Sequence, residues 1–348
     1  MSKNIINSLN DFFIAEIGTN HNQKKSLVKK MIREVAKTEC QCVKYQIYEP
    51  DEIVNKKVMA SEYGLNKYYG NISAYKMFDQ YLKTPKQWFP ELIHYATKFN
   101  LKTAVTIHGD NGLRWAIKNK PHYIKIASMD LNNYQFLDYI ARKNKPIILS
   151  IGMGSLQELD KAIETIEIAG NNKIIILHCL AIYPAPDKNI NLSRIDTLKN
   201  IYPYPVGYSD HSLGTSVSIG AVAKGAVVIE KHFTMDKNMV GWDHKISSDY
   251  TEMKSLITDC KRVNLALGNN RIIRTEDNER VKEFRRSIVA AKNIKKGEKF
   301  SKDMFDFKRP GSGLEPNMAN FILWGCFLTT SSRWSPSAPN PEHITTKT

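Results

Sequence analysis

Two short stretches carry the residue types best suited to holding a metal ion. Residues 207–214 read GYSDHSLG and residues 226–233 read AVVIEKHF, and each places a histidine directly after a short apolar run, where a strand ends. His211 and His232, each near a carboxylate (Asp210, Glu230), are therefore candidates for two ligands of one ion on neighbouring strands. For either alone, a strand cap is the simpler reading. Two imidazoles suit Mn²⁺, Fe²⁺, Co²⁺ or Zn²⁺ and leave positions open, as a Lewis acid that polarises a carbonyl requires. His21, His108 and His244 are further candidates that read better as hydrogen-bonding wall residues. Cys179, beside His178, reads as a buried small residue, because no base is identifiable by spacing.

Eight short β-branched and apolar runs must position these groups: 12–17, 42–47, 102–107, 123–127, 146–150, 173–178, 204–207 and 226–231. Helix-like segments alternate with them, such as 27–38, and 156–168 entered through a Ser155/Glu158 capping box. Eight βα units over about 250 residues predict a (β/α)8 TIM barrel, whose active site lies at the C-terminal strand ends. Nearly every exit carries a polar residue. Glu16 closes the first run, and Lys44 and Gln46 share one side of the second by period-two alternation. The fourth holds Lys125 with Ser128 after it, the fifth ends in Ser150 before the Gly152–Gly154 loop, and Tyr183 follows the sixth. Ser209 and His211 follow the seventh, and the eighth holds Glu230 with His232 after it. A lysine inside a barrel is costly unless it meets an anion. Lys44 and Lys125 therefore point either to salt bridges with Glu16 or Glu230, or, with Ser128, Ser150 and the glycine loop, to a phosphate and carboxylate cradle.

The stretch 48–87 is a long, aromatic excursion, read as an ordered wall of the barrel's top face. The organisation expected is a barrel domain at 1–270, a linker at 271–284, a small mostly-β module at 285–320 and an irregular tail at 321–348. With 348 residues and 42% hydrophobic content the chain can bury a large core, and no apolar run is long enough to span a bilayer. The N-terminus lacks a signal-peptide core, so the expectation is a cytoplasmic protein without membrane partners. Five scattered cysteines form no disulfide framework. The net charge of +15 comes from diffuse lysine, with twelve arginines among fifty basic residues, and does not point to nucleic acid.

The stretches AEIGTNHNQ (15–23), VKYQIY (43–48), IKIAS (124–128), LSIGMG (149–154), LHC with YPAP (177–186), GYSDHSLG, VIEKHFTMD (228–236) and GWDHKIS (241–247) occur in that order. With them, residues 12–318 closely resemble the sialic acid synthases, which condense phosphoenolpyruvate with a sugar to give nine-carbon 2-keto sugar acids. RRSIVAAKNIKKGE and FKRPGSG resemble the family's C-terminal antifreeze-like (SAF) module. The resemblance implies that His211 and His232 bind a metal, most often Mn²⁺, with Mg²⁺ or Co²⁺ as alternatives. It implies that Lys44, Lys125, Ser128, Ser150 and Ser209 hold phosphoenolpyruvate, and that Glu16 and Glu230 lie near the reacting centre. Gln46, Tyr183 and Asp243 would lie near an open-chain N-acyl hexosamine, and Arg309 would reach the partner's site in a domain-swapped homodimer. Ile151 replaces a common Thr, and Ala181 stands where synthases of the common sialic acid often carry Asn, so the acceptor sugar is open and legionaminic- or pseudaminic-type chemistry is included. GWDH replaces the more frequent GPDH, and the atypical tail suggests an incomplete module. The competing readings are a metal-dependent barrel hydrolase or isomerase, which would turn over without phosphoenolpyruvate, and a non-catalytic sugar-acid-binding protein.

Overall fold

Strands buried on both faces read as near-continuous apolar runs, and here eight of them pair in parallel, in chain order, into a closed barrel. They are β1 (Phe12–Glu16), β2 (Cys42–Ile47), β3 (Lys102–Ile107), β4 (Tyr123–Ile126), β5 (Ile147–Ser150), β6 (Ile174–Cys179), β7 (Val206–Asp210) and β8 (Val228–His232). The computed structural model describes residues 11–309, 313–324, 327–329, 333–334 and 344–346. The seventh strand starts and ends later than its apolar run suggests. Pro203 and Pro205 lack amide donors, so pairing is carried by the segment after them, through Ser209 and Asp210.

The connecting helices bury one stripe each. Lys25–Ala36 buries Val28, Met31, Ile32 and Val35, the i, i+3, i+4, i+7 set. Helix Leu156–Ile168 starts at the expected capping box, with Glu158 N donating to Ser155 Oγ at 3.2 Å and Ser155 N to Glu158 Oε2 at 2.8 Å. The excursion after β2 folds into short helical turns around its own core of Val54, Ala60, Leu65, Ala74, Met77 and Leu82, with Tyr68, Tyr69, Tyr75 and Phe78 packed on it.

Inside the barrel, alternate residues form two zones. Phe12, Ile14, Cys42, Ala104, Tyr123, Ile148, Ile175, Leu177 and Val228 fill the lower zone. The next inward positions toward the C-terminal ends are Glu16, Lys44, Gln46, Thr106, Lys125, Ser150, Ser209 and Glu230. The register ties them together, pairing Glu16 with Lys44 and His232, Gln46 with Thr106, Thr106 with Lys125, and Ser209 with Glu230. Gly207 sits at the seam, where an added Cβ would stand 2.7 Å from Leu177 Cδ2 and press on the Val228 carbonyl. Gly207→Ala is expected to destabilise the barrel by about 1–3 kcal/mol through overpacking. Urea unfolding followed by circular dichroism would show this as a lowered midpoint, and an unchanged midpoint would contradict it.

The chain divides into two compact units, Met1–Gly268 and Asn269–Thr348. Helix Tyr250–Leu267 closes the first, capped by Asp249 and stopped at Gly268, whose φ of +51° favours glycine. In the second, helix Asn278–Phe284 occupies much of the expected linker. β9 (Ser287–Ala290) pairs antiparallel with β11 (Phe305–Lys308), and β10 (Ile294–Lys295) with β13 (Arg333–Trp334). β12 (Phe327–Thr329) pairs with β14 (Ile344–Thr346). The expected irregular tail therefore contains regular structure, because Ile322 of helix Ala319–Trp324 completes the core of Ile288, Ala290, Ile294, Phe300 and Met304. Trp324 is exposed. Much of 325–348, with Cys326, lies outside the described residues. Cys40, Cys42, Cys179 and Cys260 are buried free thiols. Among the described residues no helix is long and apolar enough to cross a membrane.

Candidate active site

The C-terminal mouth of the barrel encloses a cavity of about 350 Å³. Lys44, Gln46, Lys125, Ser128, Ser150, Tyr183, Ser209, His211, Glu230, His232 and Asp243 all line it. Glu16 lies fully buried at its floor, ion-paired to Lys44 and accepting from Gln46 Nε2 at 3.1 Å and Gly18 N at 2.9 Å. Arg309 lies on the second unit, exposed, its guanidinium 5.2 Å from the Phe284 ring centre.

Strand alternation decides which charges face the cavity. Asp210 points outward into the shell between strands and helices, where it pairs with Lys231 at 2.8 Å and accepts from Ser212 and Ser218 at 2.6 Å. It is therefore not a neighbour of the metal-candidate imidazoles, and the carboxylate beside them comes from Asp243. His178 also faces outward, with Nε2 donating to Ile190 O at 2.6 Å. His21 uses both ring nitrogens, on Gln23 N and Thr84 Oγ1, and His244 uses both, on Thr234 Oγ1 and Asn22 Oδ1.

His211 and His232 keep coordinating capacity. Their ring centres are 5.5 Å apart. His211 Nδ1 donates to Leu180 O at 2.8 Å, which fixes the tautomer and leaves Nε2 with its lone pair. His232 Nδ1 is buried with no hydrogen-bond partner, 3.4 Å from Asp243 Oδ2, and that oxygen accepts from Thr19 Oγ1 at 2.8 Å. Burial lowers both imidazoles to about 4, so they are neutral at physiological pH, the form that binds metal. Among the described residues no group of three or more His, Cys, Asp or Glu forms a closed metal site. The two imidazoles fit a divalent ion with open positions. Tyr183 stacks on His211, with ring centres 4.1 Å apart.

The anionic and cationic groups are unequally matched. Burial pushes the Glu16 carboxyl up, against the opposing Lys44 ammonium. Burial also pushes on Glu230, but Lys44 and Lys125 outweigh it and bring Glu230 down to about 2. Glu230 Oε1 accepts from Ser209 Oγ at 2.9 Å, while Oε2 is buried without a hydrogen-bond partner. Lys44 meets Glu16, Glu230 at 3.7 Å and Thr106 Oγ1 at 2.9 Å, so the salt-bridge reading holds for Lys44. Lys125 has no such pair. It is 4% exposed, its ammonium contacts only Ile126 O at 3.3 Å, and burial lowers its pKa. Ser150 Oγ, also lining the cavity, is buried beside the Cys179 thiol. Burial raises that thiol's pKa, which keeps Cys179 protonated and unsuited to nucleophilic attack.

Of the loop after β5, Met153 lines the cavity, and Gly152 and Gly154 do not. Gly152 is required because a Cβ would stand 2.6 Å from Cys179 Sγ, and Gly154 because it presses on Leu131, with its amide donating to Ile151 O. Thr106, Thr19, Met129 and Trp242 join the lining without having been picked out as its residues, and His108, expected as a wall residue, lines it too. Thr106 was within reach of the alternation that found Lys44. Thr19, Met129 and Trp242 stand beyond the strand ends, where periodicity says nothing.

Residues 31–272 match the NeuB family and residues 285–322 the SAF domain. An uncharacterized protein of Methanocaldococcus jannaschii is 40% identical over 316 residues, covering 90% of this chain and 88% of that protein. An N,N'-diacetyllegionaminic acid synthase of Campylobacter jejuni is 36% identical over 304 residues, covering 86% and 91%. The crystal structure of N-acetylneuraminic acid synthetase from Leptospira borgpetersenii in complex with citrate shares the fold, with a TM-score of 0.70 and 31% identity over 80% of this chain and 93% of that one. The chain belongs to the NeuB family and carries a SAF domain after its barrel.

Proposed function

We propose that this chain condenses phosphoenolpyruvate with an open-chain N-acyl mannosamine-type sugar, giving a nine-carbon 2-keto sugar acid and phosphate. The observation that carries the reading is Lys125, a buried ammonium that faces the cavity and, among the described residues, has no carboxylate within ion-pair distance. Lys125, Ser128 and Ser150 hold the phosphate, and Lys44 and Ser209 hold the carboxylate. Glu16, with both oxygens engaged, positions Lys44 and Gln46. His211 and His232 hold a divalent metal, Mn²⁺ first, with Co²⁺ or Mg²⁺ as alternatives, and such an ion supplies Lewis acidity toward the sugar carbonyl. C3 of phosphoenolpyruvate adds to the aldehyde carbon, positive charge develops at C2, and water adds there. Glu230 Oε2, buried and without a hydrogen-bond partner, positions that water, and the proton the water loses balances the one taken up by the sugar's new alkoxide oxygen. The tetrahedral intermediate then expels phosphate by C–O cleavage.

The upper wall is apolar, built from Ile53, Phe78, Leu82, Met129, Met153 and Trp242. Lys44 and Lys125 are the cations of the lining, both near its floor. A phosphate on the sugar thus lacks a counter-charge among the lining residues, whereas acetamido and 6-deoxy methyl groups suit the wall. A diacetamido-trideoxyhexose of the legionaminic type is the preferred acceptor, in line with the Campylobacter relative. Phosphate release with phosphoenolpyruvate, Mn²⁺ and a panel of such aldehydes plus N-acetylmannosamine tests this. Release with none of them would overturn it.

Arg309 is proposed to enter the partner's cavity in a domain-swapped homodimer. Mixing inactive His211→Ala and Arg309→Ala subunits is then expected to restore about a quarter of wild-type activity, because mixed dimers contain one intact site. No recovery on subunit exchange would contradict the swap.

A further inference from the structure

We infer that His108 donates a proton to the departing phosphate, with Asp130 as its positioning residue; this rests on the reaction proposed above. His108 follows β3 with the inward parity of Ala104 and Thr106, and it lines the cavity. Its Nδ1 is buried, 3.6 Å from Asp130 Oδ2, and neither atom has a hydrogen-bond partner. Such a separation in a ligand-free site is one that closes when substrate binds. With Nδ1–H turned to the carboxylate, Nε2 is left to face the cavity. The ring is held on another side by Tyr48, edge to face with centres 5.8 Å apart.

The placement selects the phosphate end. Asp130 ends the turn Ser128–Asp130, so one turn after β4 supplies both a phosphate-side hydroxyl and the partner of His108. In the barrel order β3 and β4 stand across the axis from β7 and β8, which carry His211 and His232. The lining histidines are His108, His211 and His232, and the latter two serve the sugar carbonyl. His108 is the imidazole on the leaving-group wall. As the C2–O bond breaks, its electron pair goes to the bridging oxygen, which takes the proton from His108 Nε2. The C2 hydroxyl gives its proton to water as the ketone forms, and solvent reprotonates His108.

The test compares the full-length wild type with His108→Ala, His108→Gln, Asp130→Asn and Asp130→Glu, all checked for an unchanged unfolding midpoint. With Mn²⁺, His108→Ala is expected to lower kcat about 100-fold and to leave the aldehyde KM unchanged. Imidazole added to the buffer is expected to restore its turnover. Asp130→Asn should lower kcat, and Asp130→Glu should recover it. Wild-type kcat in His108→Ala, a change confined to the aldehyde KM, or no imidazole rescue would overturn the assignment. Absence of phosphate release in the wild type would instead sink the parent reaction. Calorimetric titration with phosphoenolpyruvate then judges the contact alone: affinity about 10-fold weaker in both His108 variants supports it, and equal affinity overturns it.

Discussion

His211→Ala is expected to lower turnover by about 10³-fold, the equivalent of about 4 kcal/mol of lost transition-state stabilisation, and to abolish tight binding of the divalent ion. The fold should survive, since the substitution frees the Leu180 carbonyl at a cost of about 1 kcal/mol and removes a ring contact with Tyr183 at the cavity. The two effects belong together because the imidazole's remaining nitrogen has no protein partner to serve. Metal titration with kinetic assay of the same preparation would decide this. Retained metal affinity with lost activity would move His211 from the metal to the substrate, and retained activity would remove the pair from the chemistry.

Lys125→Met is expected to separate activity from stability. Phosphoenolpyruvate loses the one lining ammonium with no protein counter-ion, so kcat/KM for it should fall about 10³-fold. The folded protein should become more stable by about 1 kcal/mol at neutral pH, because the burial cost of the ammonium exceeds its attraction to Glu230 and a side chain of similar volume replaces it. Glu230 keeps Lys44 as its partner at 3.7 Å. The sign follows from the lowered pKa of Lys125. The unfolded chain binds its proton more tightly than the folded one, so the penalty is full below the folded value and fades as pH rises toward the free-lysine value of about 10.4. The stability gain of Lys125→Met should therefore shrink at alkaline pH. A variant less stable than wild type at pH 7 would contradict a Lys125 whose burial cost exceeds its compensation.

What the sequence makes legible here is whatever strand periodicity governs. Lys44, Gln46, Ser209 and Glu230 face inward for the same reason that Ile14 and Leu177 do, and His211 and His232 continue that parity to the rim. The apolar runs locate seven strands closely, but two prolines displace the seventh. Period-two reasoning also separates Asp210 from Glu230, because each adjoins a histidine yet only the second shares its face. Adjacency in sequence had grouped them together. Loop-borne groups are illegible by this route. Asp243 meets His232 only because the chain folds back after β8, and Asp130 meets His108 across two different strand exits. Glycines mislead in the opposite direction: Gly152 and Gly154 look like an anion loop and are spent on packing against Cys179 and Leu131. In the second unit, Ser, Pro and Thr richness after residue 320 concealed Ile322, a single apolar residue that closes a small core.

The central claim is that the cavity directs carbon–carbon bond formation with C–O cleavage of phosphoenolpyruvate. Phosphoenolpyruvate labelled with ¹⁸O at the bridging position, incubated with the wild-type protein, Mn²⁺ and a diacetamido-trideoxyhexose, tests it most directly by mass spectrometry of both products. The prediction is a nine-carbon 2-keto acid without the label and phosphate that carries it. Label in the keto acid, or no phosphate released with any aldehyde offered, would contradict the account.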